Sequence, residues 1–165
     1  MATPDYKPAA LFDLEGTLSN NNHRQQFLPA DDLPPEQATL AWDDYYKMLP
    51  YDAAFPQVIK YCNSLPAQGI RVVITTGVPN KFRGMVKQWL AQHRVKFRQI
   101  LMRRDDDHSP NAVLKQGMLR LTATRFGYTP IIAVDDLAKS LKMYHRHGVP
   151  QCYLIKRGRL QKFTG

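Results

Sequence analysis

Five short apolar runs, each separated from the next by a helical pattern, limit the folds open to this chain more than any other feature. They are AALFDL (9–14), IRVVIT (70–75), FRQILM (97–102), PIIAV (130–134) and QCYLI (151–155). Each is short and rich in aliphatic or β-branched residues, which predicts a buried strand. Periodic patterns between them predict helices near 53–67, 80–93, 110–126 and 136–147. Gly69, Gly127 and Gly148 each stand between a helix and the next strand, where a left-handed cap is expected. Strands linked through helices run parallel, and the helices cover both faces of the sheet. The expected class is therefore α/β, one domain of 165 residues around a central parallel sheet. The segment 19–52 breaks the rhythm. It is polar, carries Pro29, Pro34, Pro35 and Pro50, and contains one predicted helix, PEQATLAWDDYYKM. We read it as an insertion lying over the strand ends.

In sheets of this kind ligands bind at the carboxyl ends of the strands. The polar residues at those ends are therefore the candidates for chemistry. The first strand runs into Asp13 and Glu15, the second into Thr75-Thr76-Gly77, and the fourth into Asp135-Asp136, while Lys115 lies near the start of the helix after the third strand. Any one of them has an ordinary explanation as a turn residue, helix cap or surface charge. Together they make a coherent phosphoryl site. Asp13 is the expected nucleophile, splitting phosphoester hydrolysis into two steps through an aspartyl-phosphate. Glu15 is the expected proton donor and acceptor. Asp13, Glu15, Asp135 and Asp136 are the expected ligands of Mg²⁺, a cation that prefers oxygen donors. Thr76, Gly77 and Lys115 are expected to hold the phosphoryl oxygens. Receiver domains use a similar inventory, but there the acidic pair comes first and the phospho-accepting Asp lies mid-chain. The order here is the reverse.

Charge adds a hint about the substrate. The net charge is +9, with nine acids against three bases in residues 1–55 and five acids against twenty bases in residues 56–165. After Asp136 there are seven bases and no acid. Such a field attracts polyanions. No apolar run approaches the roughly 20 residues of a membrane span. The start, MATPDYKPAA, lacks the pattern of a secretory signal, and Cys62 and Cys152 form no metal spacing. A cytoplasmic protein with free thiols is expected.

The motif order Asp13, Thr76, Lys115, Asp135-Asp136 resembles the haloacid dehalogenase superfamily, mostly Mg²⁺-dependent phosphatases with a Rossmann-like fold. More closely, the chain is similar to the 3′-phosphatase domain of polynucleotide kinases and its free-standing phage and bacterial relatives. The stretches that carry the likeness are DLEGTL (13–18), NNHR (21–24), WDDYYKMLPYDAAFPQVIK (42–60), ITTGVPNKFRGMVKQWLAQHRV (74–95), ILMRRDDDHSPNAVLK (100–115) and AVDDLAKSLKMYHRHGVP (133–150). The resemblance implies a minimal cap, an open site, a nucleic-acid 3′ end or nucleotide as substrate, and a kinase or ligase as partner. It also exposes departures. Glu15 stands where the first motif usually has Asp. Val78, Ser109 and Leu137 stand where the 3′-phosphatases usually have arginine, with Arg83, Arg103 and Arg104 as possible substitutes. Two other readings stay open: a small-molecule phosphatase, and a silent nucleic-acid-binding module on the same fold. Trp42, Tyr45 and Tyr46 could stack on a base or anchor the insertion. The KRGRLQK tail (156–162) could touch a nucleic-acid backbone or be only a polar terminus. Asp105-Asp106-Asp107 reads as a solvated loop, and His145 with His147 as a poor metal pair.

Overall fold

In the computed structural model, which describes residues 5–165, the five apolar runs form one sheet. Met1–Pro4, the start of the segment read for a leader, lie outside the described residues. The strands are β1 (Pro8–Phe12), β4 (Arg71–Pro79), β5 (Gln99–Arg103), β6 (Thr129–Asp135) and β7 (Gln151–Lys156), all mutually parallel. A further strand, β8 (Arg159–Phe163), folds back antiparallel on β7, giving the order β5-β4-β1-β6-β7-β8. The KRGRLQK segment (156–162), read as a nucleic-acid contact or a polar terminus, supplies the turn and most of β8. Leu160 and Phe163 are half-buried and Arg159, Gln161 and Lys162 exposed, and charge at an edge disguises a strand because it also discourages further pairing. The remaining two strands, β2 (Ser19–Asn20) and β3 (Ala53–Ala54), are only two residues each and pair at the base of the insertion.

The helices fall where the periodicity places them: α1 (Pro35–Lys47), α2 (Pro56–Ser64), α3 (Arg83–Gln92), α4 (Asn111–Thr124) and α5 (Ala138–Arg146). Three ends are trimmed, with Pro66–Gln68 and Asn80–Phe82 as 3₁₀ turns. Gly69, Gly127 and Gly148 adopt φ of 76°, 66° and 87°, the left-handed caps expected.

Because side chains alternate along a strand, each strand serves two cores. Phe12, Val72, Ile74 and Val134 face α2 and α3, packing on Val58, Cys62, Val86, Trp89 and Leu90. Leu11, Val73, Leu101 and Ala133 face α4 and α5, packing on Leu114, Met118, Leu141 and Tyr144. This two-sided burial explains why β1 and β4 read as continuous apolar runs. Among the described residues, no helix is long and apolar enough to cross a membrane.

Trp89 has a second task. Its indole Nε1 donates to the backbone oxygen of Asp52 at 2.9 Å, tying α3 to the end of the insertion. Replacing this buried ring in Trp89→Ala is expected to cost about 3–5 kcal/mol of stability, read as a lower urea midpoint at unchanged slope.

Candidate active site

The strand ends deliver the predicted residues to one place. Asp13 follows β1 directly and its backbone N–H bonds Val134 O at 3.0 Å, so the loop begins still attached to β6. The chain then closes on itself: Thr17, Leu18 and Ser19 all donate backbone N–H groups to Leu14 O. That tight turn returns the Thr17 hydroxyl to Asp13 Oδ2 at 3.1 Å. Gly16 makes it possible at φ 77°, and a methyl group there would collide with the Asp136 carboxylate.

Strand periodicity decides what meets Asp13. Residues 11, 13, 73, 75, 133 and 135 share the parity that faces α4, where Lys115 sits in the first turn and a half. Lys115 Nζ accordingly lies 2.7 Å from Asp13 Oδ1 and donates to Thr75 O at 2.6 Å. Asp135 Oδ2 is 3.3 Å from the same ammonium, but out of line for a hydrogen bond, so this buried oxygen has no aligned donor. Burial alone would lower the Lys115 pKa; Asp13 and Asp135 more than offset it and hold the lysine above its ordinary value. The ammonium is therefore a fixed positive charge.

Asp13, Asp135 and Asp136 each present a carboxylate oxygen within 4.8 Å of the others. Burial, and then the neighbouring carboxylates, push the Asp136 pKa upward, and burial does the same to Asp135 against the pull of Lys115. Three crowded carboxylates, one lysine and an oxygen without a donor form a site short of positive charge. Hard oxygen donors in that state fit a divalent cation such as Mg²⁺.

Four expectations change. Glu15 does not join the three-carboxylate cluster: its Oε2 pairs with Arg24 Nη1 at 2.6 Å, a close ion pair and not an aligned hydrogen bond. Thr76, on the opposite parity from Thr75, is buried and accepts the Val78 N–H at 3.2 Å, while Thr75 is the one that meets Lys115, through its backbone oxygen. Arg83 is spent on Asn80 Oδ1 at 2.8 Å and does not line the cavity. Arg103 does line it, but its donors reach Gly77 O, Asp107 O, Ser109 O and Asn111 Oδ1, clamping the loop before α4. Val78 is fully buried in the core, which explains its apolar character.

The sequence reading missed Arg24 and Asp52. Arg24 is completely buried; its Nε and Nη2 reach the two Asp52 oxygens at 2.8 and 2.6 Å, and its guanidinium lies 4.5 Å from the Tyr45 ring centre. His23 also touches Asp52 Oδ1 at 2.7 Å. Burial, opposed by Arg24, raises the Glu15 pKa to about 7. The only sequence signal was an arginine in NNHR close behind the first motif, since its partner is 28 residues away.

Asp13, Glu15, Lys115, Asp135 and Asp136 line a cavity of about 790 Å³. One wall comes from the insertion through Gln25, Leu28, Thr39, Trp42, Tyr45 and Tyr46. Trp42 stacks on Tyr46 at 5.7 Å and Tyr45 is buried, so the aromatic cluster anchors α1 while leaving Trp42 partly exposed. The acidic run 105–107 is engaged in its own loop: Asp105 accepts the Lys81 N–H, Asp106 pairs with Arg104, and Asp107 accepts from Ser109.

Residues 7–159 match the model of the polynucleotide kinase PNKP phosphatase domain. The chain belongs to that family. It is a phosphatase of the haloacid dehalogenase superfamily, and such phosphatases generally use a divalent metal. Among curated protein sequences none matches the chain. Among solved structures, a chain of the Pnkp1/Rnl/Hen1 complex is similar with TM-score 0.68 and 21% identity, covering 93% of this chain and 47% of that one. The present chain thus spans about half the length of that relative. The class C acid phosphatase from Bacillus anthracis with tungstate bound has TM-score 0.58 and 16% identity over 84% of this chain and 55% of its own. A phospho-aspartyl intermediate analogue of phosphoserine phosphatase has TM-score 0.56 and 16% identity over 90% and 86%. At these identities the likeness is one of fold.

Substitutions at two positions test the geometry. Arg24→Ala strands two carboxylates in the interior and is expected to cost about 3–5 kcal/mol; Arg24→Lys should recover little, lacking the fork that serves both. Gly16→Ala should cost about 1–3 kcal/mol of stability, read from urea unfolding, and lower divalent-metal affinity, measured by calorimetry, because the group a methyl would displace is Asp136.

Proposed function

We propose that the protein hydrolyses a phosphate monoester at a nucleic-acid 3′ end or on a nucleotide, through an aspartyl-phosphate on Asp13. The observation that carries the reading is the Asp13 carboxylate held by Lys115 and Thr17 at the floor of an open cavity, beside Glu15. Asp13, Asp135 and Asp136 would hold Mg²⁺, which supplies charge neutralisation for the phosphoryl oxygens.

A carboxylate oxygen of Asp13 attacks phosphorus as the ester P–O bond breaks, and the proton on Glu15 passes to the departing oxygen. Glu15 suits this role because its pKa near 7 leaves it substantially protonated at neutral pH, with Arg24 fixing Oε2 and leaving Oε1 for transfer. Water then attacks the phosphorus of the aspartyl-phosphate and Glu15 takes its proton. The P–O bond to Asp13 breaks, returning the carboxylate and inorganic phosphate. Lys115 offsets the charge on Asp13 throughout. Glu15 in place of the usual Asp is matched by Arg24, which sets where the longer side chain ends. The net charge of +9 and the cavity's open face support a polyanionic substrate.

A small-molecule substrate is the second reading. It is favoured by Arg103, the arginine lining the cavity, having its donors consumed by the loop before α4.

Phosphate release from a 3′-phosphorylated oligonucleotide, nucleoside monophosphates and an aryl phosphate tests both. Release should require Mg²⁺ after chelation and vanish in Asp13→Asn. Glu15→Gln should lose about 10²–10⁴-fold on the oligonucleotide. On an aryl phosphate, whose leaving group needs no proton, it should release a burst of one phenol per enzyme before stalling at the phosphoenzyme. Equal loss on both substrates, without a burst, would remove Glu15 from proton transfer.

A further inference from the structure

The β7–β8 hairpin places cations where local physics disfavours them. The register pairs Lys156 directly with Arg159, two like charges face to face across an antiparallel pair. Between them Arg157 and Gly158 form the turn, with φ of 49° and 72°. That is the two-residue turn that asks for Asn-Gly or Asp-Gly, and a long side chain in the left-handed region is strained. Gly158 is fixed for another reason: a side chain there would strike the Phe55 ring. On the next element Lys139 occupies the first turn of α5, the end of a helix that prefers an anion. Lys139, Lys156, Arg157 and Arg159 are all exposed, and among the described residues none has a carboxylate within 4.0 Å. Local rules broken repeatedly at one place mark a site kept for something other than stability.

That place adjoins the active site. Leu154 on β7 pairs with Asp135 on β6, so Lys156 lies two residues, about 7 Å, further along the same direction. Lys139 follows Asp136 by three residues. The turn is also seated on the active-site loop: Phe55, whose ring meets Gly158, donates its N–H to Leu18 O at 2.9 Å. Lys156, Arg157 and Arg159 lie on the hairpin and Lys139 on α5, so the four cations are carried by separate parts of the fold. A single phosphate would meet one or two of them, whereas an extended phosphodiester strand would meet all four.

We propose that the Lys156-Arg157-Gly158-Arg159 hairpin, with Lys139, carries the backbone of a single-stranded polynucleotide whose end reaches Asp13. The inference rests on a polynucleotide being the substrate and identifies the surface that holds it away from the reacting phosphate.

The test combines Lys156→Gln, Arg157→Asn and Arg159→Gln in one protein. Asn suits the left-handed turn, so the hairpin should stay folded, which a melting curve verifies. Fluorescence anisotropy with labelled single-stranded DNA and RNA ending in 3′-OH measures binding apart from catalysis. The variant should bind about tenfold more weakly at low salt, with the slope of log K against log salt reduced by about 2, from roughly 0.7 per lost phosphate contact. Hydrolysis of an aryl phosphate, which has no backbone to lay on the hairpin, should stay within twofold. Unchanged binding and slope, absence of salt-sensitive binding by the parent protein, or a parallel loss on the aryl phosphate would each overturn the proposal. Hairpin-dependent binding by a parent that leaves 3′-phosphorylated ends intact would uphold the hairpin and overturn the 3′-end reading instead.

Discussion

The buried ammonium of Lys115 is the contact on which the site depends. Three carboxylates crowd the carboxyl edge of the sheet, and without an interior cation at least one would have to take a proton or turn outward. Lys115 reaches Asp13 and Asp135 across the α4 face and is itself oriented by Thr75 O, so strand parity, helix position and charge all converge on one atom. A single positive charge cannot balance three acids. The remaining deficit gives the cluster its capacity for a divalent cation, and so joins the electrostatics of the fold to the chemistry of phosphoryl transfer.

Arg24 organises the other half in the same manner. Its guanidinium fork takes both oxygens of Asp52, leaves Nη1 for Glu15 and lies on Tyr45. One side chain thereby fixes the base of the insertion, the start of β3 and the position of Glu15. A lysine could offer the charge but not the planar geometry. The cost of burying this group is offset by near-complete pairing, which leaves Glu15 as the member whose burial is least compensated and whose pKa is correspondingly raised.

The two halves differ in charge as well as role. Asp13, Glu15 and Asp43 of the first third line the cavity, whereas the bases after Asp136 are all exposed. A field of this kind attracts polyanions.

The parallel sheet, the five helices and the three glycine caps were legible in the sequence, because burial on two faces and helical periodicity are properties of neighbouring residues. So were Asp13, Lys115, Asp135 and Asp136, which follow from their places at strand and helix ends. Strand β8 was not, since an edge strand with lysine and arginine on it has the composition of a tail. That Thr75 and not Thr76 meets Lys115 needed the register of β4 against β1, for a slip of one residue reverses every side chain. Arg24 and Asp52 were out of reach for a different reason. Their pairing spans 28 residues and the closure of the insertion, and no local pattern records which buried charge a distant carboxylate will meet. Local chemistry determined which residues arrive at the edge of the sheet; only the tertiary structure decided which of them face one another, because contact between distant charges is set by packing and not by spacing.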